Sequence, residues 1–256
     1  MTQFALILVV AMVVDALVGE PEWLWSRIPH PAVLIGRAIG WADGRFNCGD
    51  NKRARGALLV VALVATAICA GVVLVPLGDI VTMVIAAILL AQRSLTDHVG
   101  EVANALRSSL PKGQESVSKI VGRDTAELDQ SGVARGAIES AAENFSDGVV
   151  APAFWFLLLG LPGMIAYKVI NTADSMIGYK TERHSEFGWA AARLDDVVNW
   201  IPARISALLM SLATGTLRKW ALVRRDAPKH RSPNAGWPEA AMAVALNVAL
   251  AGPRIY

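Results

Sequence analysis

Carboxylates, amides and cations recur along this chain in short, regularly spaced groups. Arg135, Glu139, Glu143 and Asp147 are spaced by four, so a helix would set them on one face. Arg135 with Glu139 reads as an ordinary surface pair. Glu143, Asn144 and Asp147 read differently, because a charge-free run begins at Gly148, directly after them. Hard oxygen ligands grouped in this way suit Mg²⁺ shared with a phosphate. Asn171, Asp174 and Ser175 share a helix face at i, i+3 and i+4. Lys168, one turn earlier, could hold a phosphate or an acyl oxygen, although a solvated helix end has the same composition. Arg193, Asp195, Asp196, Asn199 and Arg204 lead into a later apolar stretch. Lys229-His230-Arg231-Ser232-Pro233-Asn234-Ala235-Gly236-Trp237-Pro238-Glu239 reads as a rigid loop that presents donors to an anion. A basic anchor at lipid headgroups is the competing reading of the same loop.

The elements that position these groups are dominated by apolar runs. Of 256 residues, 54% are hydrophobic and 18% charged, against about 25% charged in an ordinary soluble domain. No charged residue falls between Ala57 and Gly78 or between Gly148 and Tyr167, and each run has about the 20 residues that cross a hydrocarbon core. Apolar stretches recur at about 4–18, 57–75, 80–92, 149–170, 197–217 and 239–252. The first, with no basic leader and with Asp15 inside it, reads as a retained membrane segment rather than a removable signal. Pro76-Leu77-Gly78-Asp79 reads as the turn of a helical hairpin. The pattern of the third stretch continues past Arg93 through Val99, Val102, Leu106 and Leu110, which predicts one helix leaving the membrane into solvent. Leu161-Pro162-Gly163 splits 149–170 into halves of about 18 Å as helix, too short to span and suited to a re-entrant hairpin.

Lys and Arg number six in each of 20–56, 93–147 and 218–238, but three in 171–196. The first three segments are therefore expected on the cytoplasmic face. If 149–170 and 197–217 each cross once, 171–196 is expected on the other. Trp23, Trp25, Trp200, Trp220 and Trp237 lie near segment ends, as interfacial tryptophans do. Cys48 and Cys69 are expected to be two ordinary reduced thiols. Basic runs interleaved with aromatics are missing, which argues against nucleic acid as a partner. So are G-x-x-x-x-G-K-[ST], G-x-G-x-x-G, a nucleophile elbow and zinc spacing. Composition and spacing alone thus reach a membrane protein with an acidic and basic polar site for Mg²⁺ and an anionic substrate. The expected fold class is all-α, a polytopic transmembrane helical protein with a re-entrant hairpin and solvent-side helices.

Nine segments in series go further: Asp-Ala-Leu-Val-Gly-Glu-Pro (15–21), His-Pro (30–31), Ile-Val-Gly-Arg-Asp-Thr (120–125), Ile-Glu-Ser-Ala-Ala-Glu-Asn-Phe-Ser-Asp-Gly (138–148), Ala-Pro (151–152), Asn-Thr-Ala-Asp-Ser-Met-Ile-Gly-Tyr (171–179), Ala-Ala-Arg-Leu-Asp-Asp (191–196), Pro-Ala-Arg (202–204) and His-Arg-Ser-Pro-Asn-Ala-Gly-Trp-Pro-Glu (230–239). In this order the chain strongly resembles the cobalamin-biosynthesis family of adenosylcobinamide-phosphate synthases, the membrane proteins called CbiB or CobD. The resemblance implies one membrane domain over 1–256, with a polar cytoplasmic-side segment at about 93–147, in the inner membrane. It implies ATP- and Mg²⁺-dependent amide formation between a propionate of adenosylcobyric acid and aminopropanol phosphate, or a related amino alcohol, giving adenosylcobinamide phosphate. Its partners would be those two substrates, the lipid bilayer and other enzymes of the pathway. On this reading Glu143, Asn144, Asp147 and Asp174 bind metal and phosphate. Arg123, Lys168, Asn171, Arg193, Arg204, Arg231 and Asn234 bind anionic groups of the substrates. Asp195, Asp196 or His230 acts as the base. Members of the family usually run on into a further membrane segment, whereas this chain stops at Arg254-Ile-Tyr256. A membrane transporter or sensor of a related family is the alternative, since intramembrane charge and a broken helix suit transport as well.

Overall fold

The computed structural model describes residues 2–122 and 124–250, so Arg123 and the terminal Arg254-Ile-Tyr256 lie outside the described part. The described residues are helices and connecting turns, without a strand. In chain order the helices are α1 (Thr2–Val18), α2 (Glu22–Trp25), α3 (Pro31–Phe46), α4 (Lys52–Leu74), α5 (Asp79–Leu89), α6 (Gln92–Ser108), α7 (Leu110–Ser118), α8 (Gln130–Phe145), α9 (Ala151–Ile177), α10 (Trp189–Val198), α11 (Trp200–Ala213), α12 (Trp220–Asp226) and α13 (Gly236–Leu246). Three helical runs, Lys52–Leu77, Asp79–Ser108 and Gln130–Ile177, are long and apolar enough to cross a membrane. The chain divides into two compact units: Met1–Ala91 with Ala151–Asn199, and Gln92–Val150 with Trp200–Tyr256.

In the first unit, α4 ends in the tight turn Val75–Leu77, and Gly78 at φ 101° starts α5 back the other way, as the Pro-Leu-Gly sequence predicts. The Gln3 amide donates to the Asp79 carboxylate at 3.0 Å, and Ile7, Leu8 and Ala11 pack with Ala86, Ala87, Leu89 and Leu90. α1 and α5 therefore run side by side in the same direction. Leu6, Leu17, Leu58 and Val73 are 68%, 77%, 70% and 71% exposed. Large apolar side chains turned outward along whole helices are what a lipid environment accommodates and water does not.

α9 folds back on itself. Gly160 has φ 66° and ψ −156°, a conformation open to glycine and closed to most L-residues, one residue before the expected Leu161-Pro162-Gly163 break. A Cβ placed on Gly163 would lie 2.7 Å from the Trp155 carbonyl oxygen, eight residues earlier; in a straight helix that separation is about 12 Å. The second arm runs antiparallel to α4. Gly71 leaves no room for a side chain against Pro162; Ala67 packs with Ala166 and Val169; Val60 packs with Ala173 and Ile177.

This packing agrees with the re-entrant reading of 149–170 and removes the condition, a single crossing, on which the opposite side for 171–196 rested. The second arm of α9 ends level with the start of α4, where Phe187 packs with Val60 and Ile39. There Asn47 donates to the Arg183 carbonyl at 3.1 Å. A correction concerns α5. It does not continue as one helix past Arg93, because Leu90 at φ −79° and ψ 157° breaks the hydrogen-bond ladder before α6 begins.

In the second unit, α6, α7 and α8 enclose Val102, Val117, Val133 and Ala137. Asp129 caps α8 by accepting the Gly132 N–H at 2.6 Å. α8 runs directly into a π-helical turn, Ser146–Val150. α11, α12 and α13 close with α8 over Ala142, Ala207, Met210, Val223, Ala227, Ala240 and Ala241, a cluster whose alanines let helices approach closely.

Cys48 and Cys69 are free, and Cys48 adjoins Asn47, so the chain carries its own reference thiol for sidedness. After Cys69→Ser, a membrane-impermeant thiol reagent is expected to label Cys48 and an added Thr181→Cys from the same side. Labelling from opposite sides would overturn the antiparallel placement of α4 and the second arm of α9.

Candidate functional site

Each unit carries its own set of chemically competent side chains. In the second unit the segments 138–148 and 230–239 converge. Glu143, near the end of α8, His230, in the loop after α12, and Glu239, in the first turn of α13, bring one ligand atom each within 4.8 Å of one another. Among the described residues no other three His, Cys, Asp or Glu groups do so. His230 Nε2 lies 3.3 Å from Glu239 Oε1, and Glu239 is only 3% exposed. A carboxylate in the first turn of a helix gains from the helix dipole, which offsets part of the cost of burying it.

The tautomer of His230 follows from its neighbours. Its Nδ1 accepts the Ser232 N–H at 3.0 Å, so the proton of the neutral ring sits on Nε2. The Nε2–H of His230 thereby lies on the side of Glu239, whereas the sequence left the ring among the candidate bases. The surrounding loop is also less open to anions than its composition suggests. The Asn234 and Ala235 N–H groups both donate to Ser232 Oγ at 3.2 Å, so the loop's own bonds consume donors expected to face a ligand. Arg204 lies over the Trp200 and Trp237 rings at 4.2 and 4.8 Å. It donates to the Trp200 carbonyl at 2.5 Å and to Asn234 Oδ1 at 3.4 Å. Its guanidinium is thus built into the aromatic wall beside the loop, while Arg231 is exposed.

Asn144 Nδ2 donates back to the Ser140 carbonyl and hydroxyl at 2.9 and 3.1 Å, which leaves its carbonyl oxygen as the atom that could face a cation. Asp147 falls in the π-helical turn, whose wider winding takes it off the strict four-residue face of Arg135, Glu139 and Glu143. Glu139 is 7% exposed and no surface residue.

In the first unit, α9 and α10 set carboxylates against one another. Asn171 Nδ2 donates to Asp195 Oδ1 at 3.4 Å and Asn199 Nδ2 to the same oxygen at 2.9 Å. Asp174 stands close enough to Asp195 and Asp196 for their charges to repel. Burial pushes the Asp195 carboxyl up to about 6, Asp196 adds to the rise, and the bonds from Asn199 and Asn171 hold it down. Burial also raises Asp196, against the pull of Arg193 and Lys180. Arg193 pairs with Asp196 at 3.6 Å on an exposed surface, a contact worth little by itself. Asp174, expected among the metal ligands with Glu143, therefore belongs to the Asp195 set in the first unit. Lys168 lies half-buried one turn before Asn171 on α9.

One cluster carried no signal in the sequence. Asp43, 8% exposed, pairs with Arg183 at 2.5 Å and lies 3.4 Å from His184 Nε2, while Asn47 donates to it at 2.8 Å. Burial works to raise the Asp43 carboxyl, but the bonds from Asn47, Arg183 and His184 outweigh it and hold it below the usual range. The cluster pins the segment after α9 to the end of α3.

The CobD/Cbib protein family matches residues 8–256. The chain belongs to that family. It is 51% identical over 274 residues to "Cobalamin biosynthesis protein CobD" of Rhizobium meliloti (strain 1021), covering 99% of this chain and 84% of the relative. It is 52% identical over 270 residues to the protein of that name from Brucella suis biovar 1 (strain 1330), covering 98% and 83%. The Rhodobacter capsulatus protein of that name is 49% identical over 262 residues, covering 99% and 83%. No solved structure matches the chain. Family membership places the chain in cobalamin biosynthesis and fits a corrinoid substrate, and its long apolar helices fit a lipid bilayer.

A carboxyl raised in the folded protein lowers stability as pH climbs from its unfolded value, 3.8, to its folded value, about 6. Asp195→Asn removes that penalty. The variant is expected to unfold at higher temperature in detergent at pH 7, by on the order of 1–3 kcal/mol, with no gain near pH 4. Equal stability of both proteins at pH 7 would contradict the burial argument.

Proposed function

We propose that the chain joins a propionate of adenosylcobyric acid to aminopropanol phosphate, or to a related amino alcohol, with ATP and Mg²⁺, giving adenosylcobinamide phosphate, as a multi-pass inner-membrane enzyme. The observation that carries this reading is the meeting of Glu143, His230 and Glu239 from two distant polar segments. The relatives' names, which place them in cobalamin biosynthesis, agree with it.

A carboxylate does not acylate an amine at neutral pH until one of its oxygens becomes a leaving group. Transfer of the terminal phosphoryl of ATP to that oxygen gives an acyl phosphate and releases ADP. The neutral amine then attacks the carbonyl carbon, the C–N bond forms, the C–O bond to phosphate breaks, and a base takes the amine proton. Asp195 is suited to that last step, since a carboxyl near 6 is ionised at neutral pH yet basic enough to hold a proton.

Glu143 and Glu239 offer hard carboxylate oxygens, the donor set that Mg²⁺ prefers while it keeps several waters. His230 does not compete for the ion, because its Nε2 carries a proton. It orients Glu239 instead, as outer partners of metal ligands do. When bound, Mg²⁺ supplies neutralisation of developing phosphate charge. Asn144 and Asp147 adjoin this pair in sequence. Lys168, Arg193 and Arg231, with Arg123 outside the described residues, are the cations for the carboxylate and phosphates of the substrates; Asn171 positions Asp195, and Arg204 braces the loop through Asn234.

With purified protein, adenosylcobyric acid, aminopropanol phosphate and ATP at saturating Mg²⁺, Glu143→Ala and Glu239→Gln are each expected to slow amide formation by about 10- to 100-fold. Normal membrane levels of both variants serve as the control. Wild-type rates in both would sink the metal assignment, and no product from the wild-type protein would sink the reaction.

A further inference from the structure

We propose that Asn199 and Tyr167 are positioning residues for Asp195: a one-way chain of hydrogen bonds from Tyr167 through the Asn199 amide fixes the carboxylate for proton acceptance. The proposal rests on the reading of Asp195 as the base.

The direction of the chain is set by chemistry. Tyr167 and Asn199 are each 1% exposed. The Tyr167 hydroxyl donates to Asn199 Oδ1 at 2.9 Å, and Asn199 Nδ2 donates to Asp195 Oδ1 at 2.9 Å. Turning the amide over would set its carbonyl oxygen against the carboxylate and its NH₂ against a phenol that must then accept. The carboxylate, which only accepts, therefore selects the amide orientation, and the phenol locks it by donating to the amide oxygen. Asn171 donates to that same Oδ1. Among the described residues, the other oxygen, Oδ2, accepts no hydrogen bond, and it is the atom left to take a proton.

Packing alone does not call for this pair. Tyr167 walls a cavity of about 270 Å³ whose other sides include Ile68, Trp155, Leu159, Pro162 and Val198. A phenol and an amide buried beside such a wall cost free energy unless fully bonded, whereas apolar side chains would fill the same space without that demand. Trp155 Nε1 donates to the Val198 carbonyl at 3.1 Å, which holds the end of α10 and so the residue after it, Asn199, against α9.

The test is a double-mutant cycle on amide formation. Asn199→Ala is expected to lower kcat by about tenfold and Tyr167→Phe by about threefold, with KM for both substrates unchanged. In an Asp195→Asn background neither substitution should lower kcat further. The same losses in that background, or unchanged kcat in the single variants, would overturn the positioning role. Tyr167→Phe removes one oxygen from a well-packed site and keeps the test open if Asn199→Ala does not fold. The cycle is also read in thermal unfolding in detergent, which needs no turnover: coupling between positions 199 and 195 is expected, and additivity there overturns the bonding chain. A wild-type protein that shows this coupling but forms no amide counts against the reaction and leaves the bonding chain standing.

Discussion

Within the first unit, everything depends on the close approach of α4 to the second arm of α9. Backbone polar groups surrounded by apolar side chains must find partners within the protein, so a chain that turns back at such a place needs a tight, internally bonded corner. Gly160 supplies the corner through its left-handed φ, and Pro162 starts the second arm directly against Gly71. The arm then carries Tyr167, Lys168, Asn171 and Asp174 at helical intervals along its length. α10 lies against that arm and brings Asp195 and, just beyond its end, Asn199 to meet them. The acidic set is thus a product of helix packing, with the Asp195 carboxylate held by two amides.

The second unit solves a different problem by different means. Two glutamates and a histidine lie close together, and such an arrangement persists only where the fold determines it and something is gained by it. α8 delivers Glu143 from a well-capped start at Asp129. The loop 230–235 is stiffened by its own side-chain to backbone bonds, so His230 has one available tautomer. Arg204, stacked on Trp200 and Trp237, braces that loop through Asn234. The π-helical turn directly after α8 is a common accompaniment of functional sites.

Much of this was legible in the residues. The charge-free runs located the long helices, Pro76-Leu77-Gly78 located the hairpin, and Leu161-Pro162-Gly163 located the α9 break to within one residue. The spacing of Asn171 and Asp174 put both on the face that α10 covers. Other features depended on contacts that no local pattern encodes. Asp43 and Arg183 are far apart in sequence and meet because the second arm of α9 returns to the start of α4. Glu239 looked like the end of a loop motif, and its burial against His230 appears only once α13 is docked. The α5 pattern ran on in apolar spacing past Leu90, and periodicity carries no mark of a single residue in extended conformation. Charge counting put 171–196 on the opposite side only for a single crossing of 149–170, and the hairpin at Gly160 removes that condition.

In the proposed reaction Asp195, held by α9 and α10, takes the proton released when the amide forms. The most direct measurement is the pH dependence of kcat for amide formation by wild-type protein and by Asp195→Asn under identical conditions. The wild-type rate is expected to rise as pH increases through about 6, and the variant to be slow and to lose this step. A variant that keeps the wild-type profile would contradict that role for Asp195.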